Sequence, residues 1–164
     1  MNTRSDRFSI IFITIVAALV LTLLPLPPML DVMRPYWVAL VIIYWGLETQ
    51  GLVSLGLVFI IGVVLDLLSA SLLGLHALSL VIIVYLVTRF RARLRFFPPW
   101  QQALSVLALL TNDRIILVWI ISLRGEPLPS LAFWLPPIVG TLLWPWLFLL
   151  LDRYRGVMRH RSSP

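Results

Sequence analysis

The sequence predicts an all-α integral membrane protein, built as a bundle of six transmembrane helices. Hydrophobic residues occupy 60% of its 164 positions and charged residues only 12%, whereas soluble domains are roughly half apolar. Apolar segments of near-spanning length follow one another along the chain, separated by prolines, glycines and arginines. Because spans of about 20 residues each use most of this length, we expect a single polytopic domain, residues 1–164.

The first three helices are predicted at residues 8–24, 36–47 and 52–68. The first is an uninterrupted apolar run behind two arginines, and it resembles the core of a signal peptide. It leads into the proline cluster at 25–28 and not into a small-residue cleavage site, so we expect a retained span that the prolines end. The second segment is shorter than the roughly 20 residues that a full crossing needs.

The last three helices are predicted at residues 75–87, 101–123 and 131–151. A strongly basic segment follows the fourth helix, and Pro98 and Pro99 come directly after it. Clustered arginines beside a span are typical of cytoplasmic loops. This predicted basic loop contains Arg89, Arg91, Arg93 and Arg95.

The distribution of arginine predicts the orientation of the bundle. Six crossings place ten of the thirteen arginines on one side: those near the amino terminus, in the basic loop and in the carboxy-terminal tail. The positive-inside rule assigns that side to the cytoplasm. We therefore predict a multi-pass protein with both termini cytoplasmic, and we attribute the pI near 11.1 to orientation and not to nucleic-acid binding.

Asp66 is the most informative residue of the sequence, because it lies within an apolar segment. An ionised carboxylate in hydrocarbon costs several kcal/mol unless it is paired, hydrogen-bonded or protonated. Gly62 and Ser69 share its helix face through their i, i+4, i+7 spacing. Small and polar residues on one face are typical of closely packed membrane helices.

A second polar group, Asn112, Asp113 and Arg114, lies near the middle of the fifth helix. With a rise of about 1.5 Å per residue, Arg114 and Asp66 lie at similar depths in the membrane, and the arginine side chain is long enough to bridge the difference. We expect Arg114 to pair with Asp66 or to pack close to it, while Asp113 shares the arginine or takes up a proton.

The spacing leaves two interpretations open for each polar feature. The intramembrane cluster either holds the helices together or forms a pocket for a ligand or partner. The basic loop either orients the protein and contacts anionic lipid, or docks a cytoplasmic protein. We interpret His76 as a packed or interfacial histidine, with contact to Asp66 as the alternative.

Several kinds of chemistry are disfavoured by the residues present. The absence of cysteine excludes disulfides and thiolate metal sites, and the two histidines are far apart in sequence. The spans contain no GxSG serine with a partner histidine and no HExxH pair. We therefore expect no catalytic residues, no metal and no cofactor.

Four segments resemble the MreD family of rod shape-determining proteins, and together they extend over nearly the whole chain. The most specific is Gly62–Gly74, with its Gly, Leu-Asp-Leu, Ser and Leu-Gly pattern, and this match supports Asp66 as a key position. The others are Arg34–Leu40 leading to Tyr44-Trp45, Trp100–Ala103, and Leu143–Leu150.

The resemblance implies a non-catalytic subunit of the bacterial inner membrane that binds MreC and supports peptidoglycan synthesis and rod shape. It also implies association with MreB, RodZ, RodA and the penicillin-binding transpeptidase that works with RodA. The family fold is similar to the substrate-binding subunits of energy-coupling-factor transporters. An alternative function is therefore a substrate- or lipid-binding subunit with a polar pocket around Asp66 and Arg114.

Overall fold

The computed structural model describes residues 3–49 and 51–161, and their regular structure is helical throughout. The side chains of residues 3–7, 29 and 157–161 lie outside this description, so the predicted terminal arginine clusters are described only in part. The predicted all-α class with six helices is confirmed. The six main helices are α1 (Thr3–Leu23), α3 (Trp37–Glu48), α4 (Leu55–Leu68), α5 (Leu75–Leu94), α6 (Pro99–Leu123) and α7 (Leu135–Arg161). A four-residue helix, α2 (Pro28–Asp31), follows α1, and a 3-10 helix (Leu131–Trp134) precedes α7.

Local sequence signals account for several helix ends. Ser54 caps α4, because its hydroxyl oxygen accepts a hydrogen bond from the backbone nitrogen of Leu57 at 3.2 Å. Pro99 opens α6 at a position where its missing N–H costs nothing. Gly74 precedes α5 with a φ of 94°, a left-handed conformation that glycine adopts without strain.

The short helix α3 forms the centre of the bundle. Every residue from Val38 to Leu47 is buried, and α3 packs against α1, α5, α6 and α7. A helix that is apolar on all sides is stable only when it is surrounded. At about 1.5 Å per residue its 12 residues extend roughly 18 Å, less than the hydrocarbon core of about 30 Å. The helix is therefore shorter than the hydrocarbon core is thick, and it lies at the centre of the bundle among longer helices.

Three of the described helices are long and apolar enough to cross a membrane: Leu75–Leu94, Pro99–Leu123 and Leu131–Gly156. Phe8–Leu23, α3 and α4 are apolar but shorter. Large apolar side chains remain exposed on the outer helix faces, for example Phe12, Ile60 and Trp119. Such surfaces are stable in contact with lipid, so the helices have the character of a membrane bundle.

The structure corrects the predicted basic loop. Helix α5 continues to Leu94, so Arg89, Arg91 and Arg93 lie in its last two turns and Arg95 follows as its C-cap. Arginine is a good helix former, and cations are favourable near the carboxyl end of a helix. The first proline after α5 is Pro98, which explains why the helix extends beyond the apolar segment.

Candidate functional site

Asp66 lies in the last turn of α4, and its side chain is fully buried. Its Oδ1 accepts hydrogen bonds from the hydroxyl of Ser71 at 2.8 Å and from the backbone nitrogen of His76 at 3.0 Å. The His76 Nδ1 is 2.7 Å from the same oxygen. Oδ2 accepts from the backbone nitrogen of Gly74 at 2.8 Å. These polar contacts replace the hydration that the carboxylate loses on burial.

The turn between α4 and α5 creates this arrangement. Helix α4 ends at Leu68, and the chain reverses through Ala70, which has a φ of 50°, and Gly74. The reversal points the first N–H groups of α5 back at Asp66. These groups have no partner within the helix, and Gly74 has no side chain to cap them. Asp66 therefore acts as a carboxylate cap for α5, supplied by the preceding helix.

The Asp66, Ser71 and His76 side chains do not have the geometry of a catalytic triad. Ser71 Oγ lies 3.3 Å from His76 Nδ1, the same ring nitrogen that faces Asp66. In a triad the serine and the carboxylate contact opposite ring nitrogens, so that the histidine can take the serine proton. The contact between His76 and Asp66, the less favoured interpretation of His76, is formed, and it closes the α4–α5 turn.

Asp113 forms a second buried polar contact, between α5 and α6. Its Oδ1 accepts a hydrogen bond from the hydroxyl of Ser79 on α5. The Arg114 Nε is 4.0 Å from Asp113 Oδ2, and the Arg114 guanidinium lies over the ring of Phe133, 4.7 Å from its centroid. Arg114 is thus balanced by its neighbour in sequence and by an aromatic face.

The predicted ion pair between Asp66 and Arg114 is not formed among the described residues. The donors of the α4–α5 turn are connected to Asp66 through a short stretch of chain and occupy its oxygens. Arg114 belongs to another helix, and its nearest carboxylate is that of Asp113. Among the described residues Arg114 therefore lies within ion-pair distance of Asp113 and is not shared with Asp66, and the direct pairing with Asp66 was wrong.

A small cavity of about 130 Å³ lies between these two polar contacts. Of the predicted cluster, it brings together Ser69, Asp113 and Arg114, and residues that the sequence analysis did not select complete its wall. Those additional residues include Arg34, Tyr36 and His76.

The other predicted members of the cluster lie elsewhere. Asp66 is sealed within the α4–α5 turn. Gly62 lies at the crossing of α4 and α5, where an added Cβ would be 2.3 Å from the Ala77 Cα. Asn112 is half-buried, and its amide nitrogen has no hydrogen-bond partner within the described chain. Five of the six predicted residues therefore divide into a cap, a helix crossing and a cavity wall, and Asn112 belongs to none of these.

A third polar cluster lies at the opposite end of the bundle, and it was not predicted from the sequence. Glu48 is nearly buried at the end of α3 and forms an ion pair with Arg155 of α7. The Arg95 Nη2 lies 3.8 Å from the same carboxylate, and Arg91 Nε donates to the backbone oxygen of Leu47 at 2.7 Å. These contacts join α3, α5 and α7. No sequence pattern links Glu48 and Arg155, which are 107 positions apart.

Within the described ranges, histidine and acidic side chains nowhere form a group of three or more that could hold a metal ion. The polar residues instead bond to one another at helix junctions. The fold and these clusters define a helical membrane protein with buried ionic groups that connect its helices.

Comparison with known proteins identifies the family. The family model described as rod shape-determining protein MreD matches residues 3–154. The rod shape-determining protein MreD of Haemophilus influenzae is 35% identical over 144 residues, which cover 85% of this chain and 86% of that protein. The chain therefore belongs to the MreD family, and it is a bacterial membrane protein of the rod-shape system. No solved structure matches it significantly, so the similarity to energy-coupling-factor subunits stays a prediction.

Proposed function

We propose that the chain is a non-catalytic scaffold subunit of the rod complex in the bacterial inner membrane. In this function it binds the membrane helix of MreC and so supports peptidoglycan synthesis and rod shape. MreB, RodZ, RodA and the transpeptidase are further members of the proposed complex. The observation that carries the proposal is the family match, which extends over residues 3–154.

The geometry of the polar residues supports a scaffold. Asp66 joins α4 to α5, Asp113 joins α5 to α6, and Glu48 joins α3 to α7. Each carboxylate is engaged by groups of a neighbouring helix, as expected when buried charges fix the arrangement of a bundle. Catalysis is not part of the proposal, because Ser71 donates to Asp66 and has no separate histidine nitrogen as a base.

Co-purification tests the scaffold function. The chain and MreC are co-expressed, and the tagged chain is purified in mild detergent. We expect MreC to be retained through size-exclusion chromatography. Recovery of a folded chain without MreC, although both proteins are well expressed, would contradict the proposal.

Substitutions on exposed helix faces would then locate the interface. Ile13→Arg on α1 and Ile60→Arg on α4 change side chains that the bundle leaves exposed. Because the two positions lie on different helices of the bundle, one substitution serves as the control for the other. Loss of MreC from one variant only, with both variants folded, would assign the MreC contact to that helix.

The second candidate is a substrate- or lipid-binding subunit that uses the cavity beside Arg114. The observation in its favour is that the Tyr36 hydroxyl is buried without a hydrogen-bond partner in the described chain, while Tyr36 lines the cavity. The volume argues against a large ligand, since about 130 Å³ is below the roughly 300–1,000 Å³ of typical small-molecule sites. The cavity is suited to a small polar group or a few water molecules.

Native mass spectrometry distinguishes the two functions. A binding subunit predicts a stoichiometric adduct on the purified chain that Arg114→Gln weakens. Arg124→Gln is a suitable control, because Arg124 is half-exposed and pairs with Glu126 outside the cavity. A chain without an adduct that still retains MreC would support the scaffold alone.

A further inference from the structure

The bundle end that carries Glu48 also contains a basic groove, which the scaffold function does not use. The basic groove lies between the end of α3, the loop that follows it and the last turns of α5, and its volume is about 490 Å³. Its polar lining comes from Thr49, Thr88, Arg89, Arg91 and Arg95. Phe96 forms part of its apolar wall.

Positive charge exceeds negative charge in this groove. Of the described carboxylates, only Glu48 forms an ion pair with an arginine of the groove. Glu48 is already paired more closely with Arg155. Arg95 reaches Glu48 at only 3.8 Å and is half-exposed. Among the described side chains, no carboxylate lies within ion-pair distance of Arg89. The groove therefore presents guanidinium groups that an anion can neutralise.

The surroundings of the groove place it at the level of lipid headgroups. Phe96 is 85% exposed and Trp100 is 63% exposed on the same end of the bundle. Exposed aromatic side chains at the ends of apolar helices are typical of the membrane interface. Guanidinium groups bind phosphate through paired N–H donors, more specifically than an ammonium does.

The apolar face of α5 favours a lipid over an acidic peptide. Tyr85 lies one turn before Arg89 on the same face of α5, and Leu78 lies two turns before Tyr85 on that face. Both side chains are about half-exposed. A phospholipid can bind the arginines with its phosphate and extend its acyl chains along this face, whereas a peptide would leave it uncovered.

We propose that the basic groove binds the headgroup of an anionic phospholipid. The purified, delipidated chain is titrated in detergent with phosphatidylglycerol or with phosphatidylcholine, and binding is followed by native mass spectrometry. We expect a clear preference for phosphatidylglycerol. Neutralising one arginine near a lipid phosphate lowers affinity by about fivefold, so Arg89→Gln should show this loss.

Arg93→Gln is the matched control, because Arg93 lies on the same helix and carries the same charge but does not line the groove. We expect Arg93→Gln to bind phosphatidylglycerol as the unmodified chain does. Equal losses in the two variants would overturn the proposal, since they indicate attraction by total charge alone. Binding of an acidic peptide that excludes phosphatidylglycerol from the unmodified chain would also overturn it. The measurement does not require MreC, so its result is independent of the proposed scaffold function.

Discussion

Asp66 shows how a single residue makes a buried charge compatible with a membrane bundle. Its two oxygens contact donors from Ser71, Gly74 and His76, and two of these donors are backbone N–H groups at the start of α5. The carboxylate and the helix end thus satisfy each other. Either group would be destabilising if it were buried alone.

Asp66→Asn should therefore destabilise the protein by about 3 kcal/mol, because an amide presents N–H donors where donors already converge. Thermal unfolding in detergent measures the effect as a lower Tm. Glu126→Gln is the control, since Glu126 forms an exposed pair with Arg124 whose removal costs little. Equal Tm values for the two variants would contradict the assignment of Asp66 as a structural cap.

Double-mutant cycles test the identity of the partner of Asp66. We expect Asp66→Asn and His76→Ala to be coupled by about 1–2 kcal/mol, because their side chains are in contact at 2.7 Å. Asp66→Asn and Arg114→Gln should be additive within about 0.5 kcal/mol, because no ion pair joins them in the described chain. The same unfolding measurements give both values. Coupling to Arg114 but not to His76 would restore the pairing expected from the sequence.

At the level of the elements, α4 and α5 cross at Gly62, where an added Cβ would meet closer atoms than at any other glycine of the described chain. An added Cβ at Gly62 would lie 2.3 Å from the Cα and 2.7 Å from the nitrogen of Ala77. Both atoms belong to the backbone, so no side-chain rotation can relieve the contact. The close approach keeps the α5 amino terminus within reach of Asp66.

Gly62→Ala should destabilise the bundle by about 3 kcal/mol or more, because the two helices must separate. Gly56→Ala on the same helix is the control, since its Cβ would meet no atom within 4 Å. The control should be neutral or stabilising by up to about 1 kcal/mol, as alanine favours helix over glycine. Similar unfolding temperatures for the two variants would show that α4 and α5 are not this close.

At the level of the whole molecule, the polar clusters separate to opposite ends of the bundle. Glu48, Arg95 and Arg155 join the carboxyl ends of α3, α5 and α7. Asp66 in the last turn of α4, His76 in the first turn of α5 and Arg34 in the loop before α3 lie near the cavity. The arginine-rich end therefore forms one face, and we propose that it faces the cytoplasm.

Cysteine labelling tests this orientation cleanly, because the chain has no cysteine of its own. Leu128→Cys introduces a thiol into the exposed loop before α7, and Phe96→Cys introduces one beside the basic groove. In intact spheroplasts an impermeant maleimide should label Leu128→Cys, and it should label Phe96→Cys only after permeabilisation. The reverse pattern would place the arginine-rich end outside, and labelling of both in intact spheroplasts would contradict a fixed orientation.

The sequence alone determined the class of protein, the number of main helices, the family and the need for partners around Asp66. The class, the number of helices and the need for partners follow from hydrophobic run length, composition and the cost of burying a charge, all of which are local, whereas the family follows from the resemblance of four segments. The helical extension through Arg93 was missed because arginine permits both helix and loop, so the end of an apolar segment does not mark the end of its helix. The central position of α3 was not apparent either, since its burial depends on four other helices.

Only the tertiary structure decided which polar groups meet. Asp66 binds the start of α5 because the turn at Ala70 and Gly74 reverses the chain toward it, and Arg114 stays with Asp113 and Phe133. Glu48 and Arg155 approach only because α7 returns to the end of α3. The rotation of each helix about its axis depends on all its neighbours, so periodicity indicates that a polar face exists but not which group it will contact.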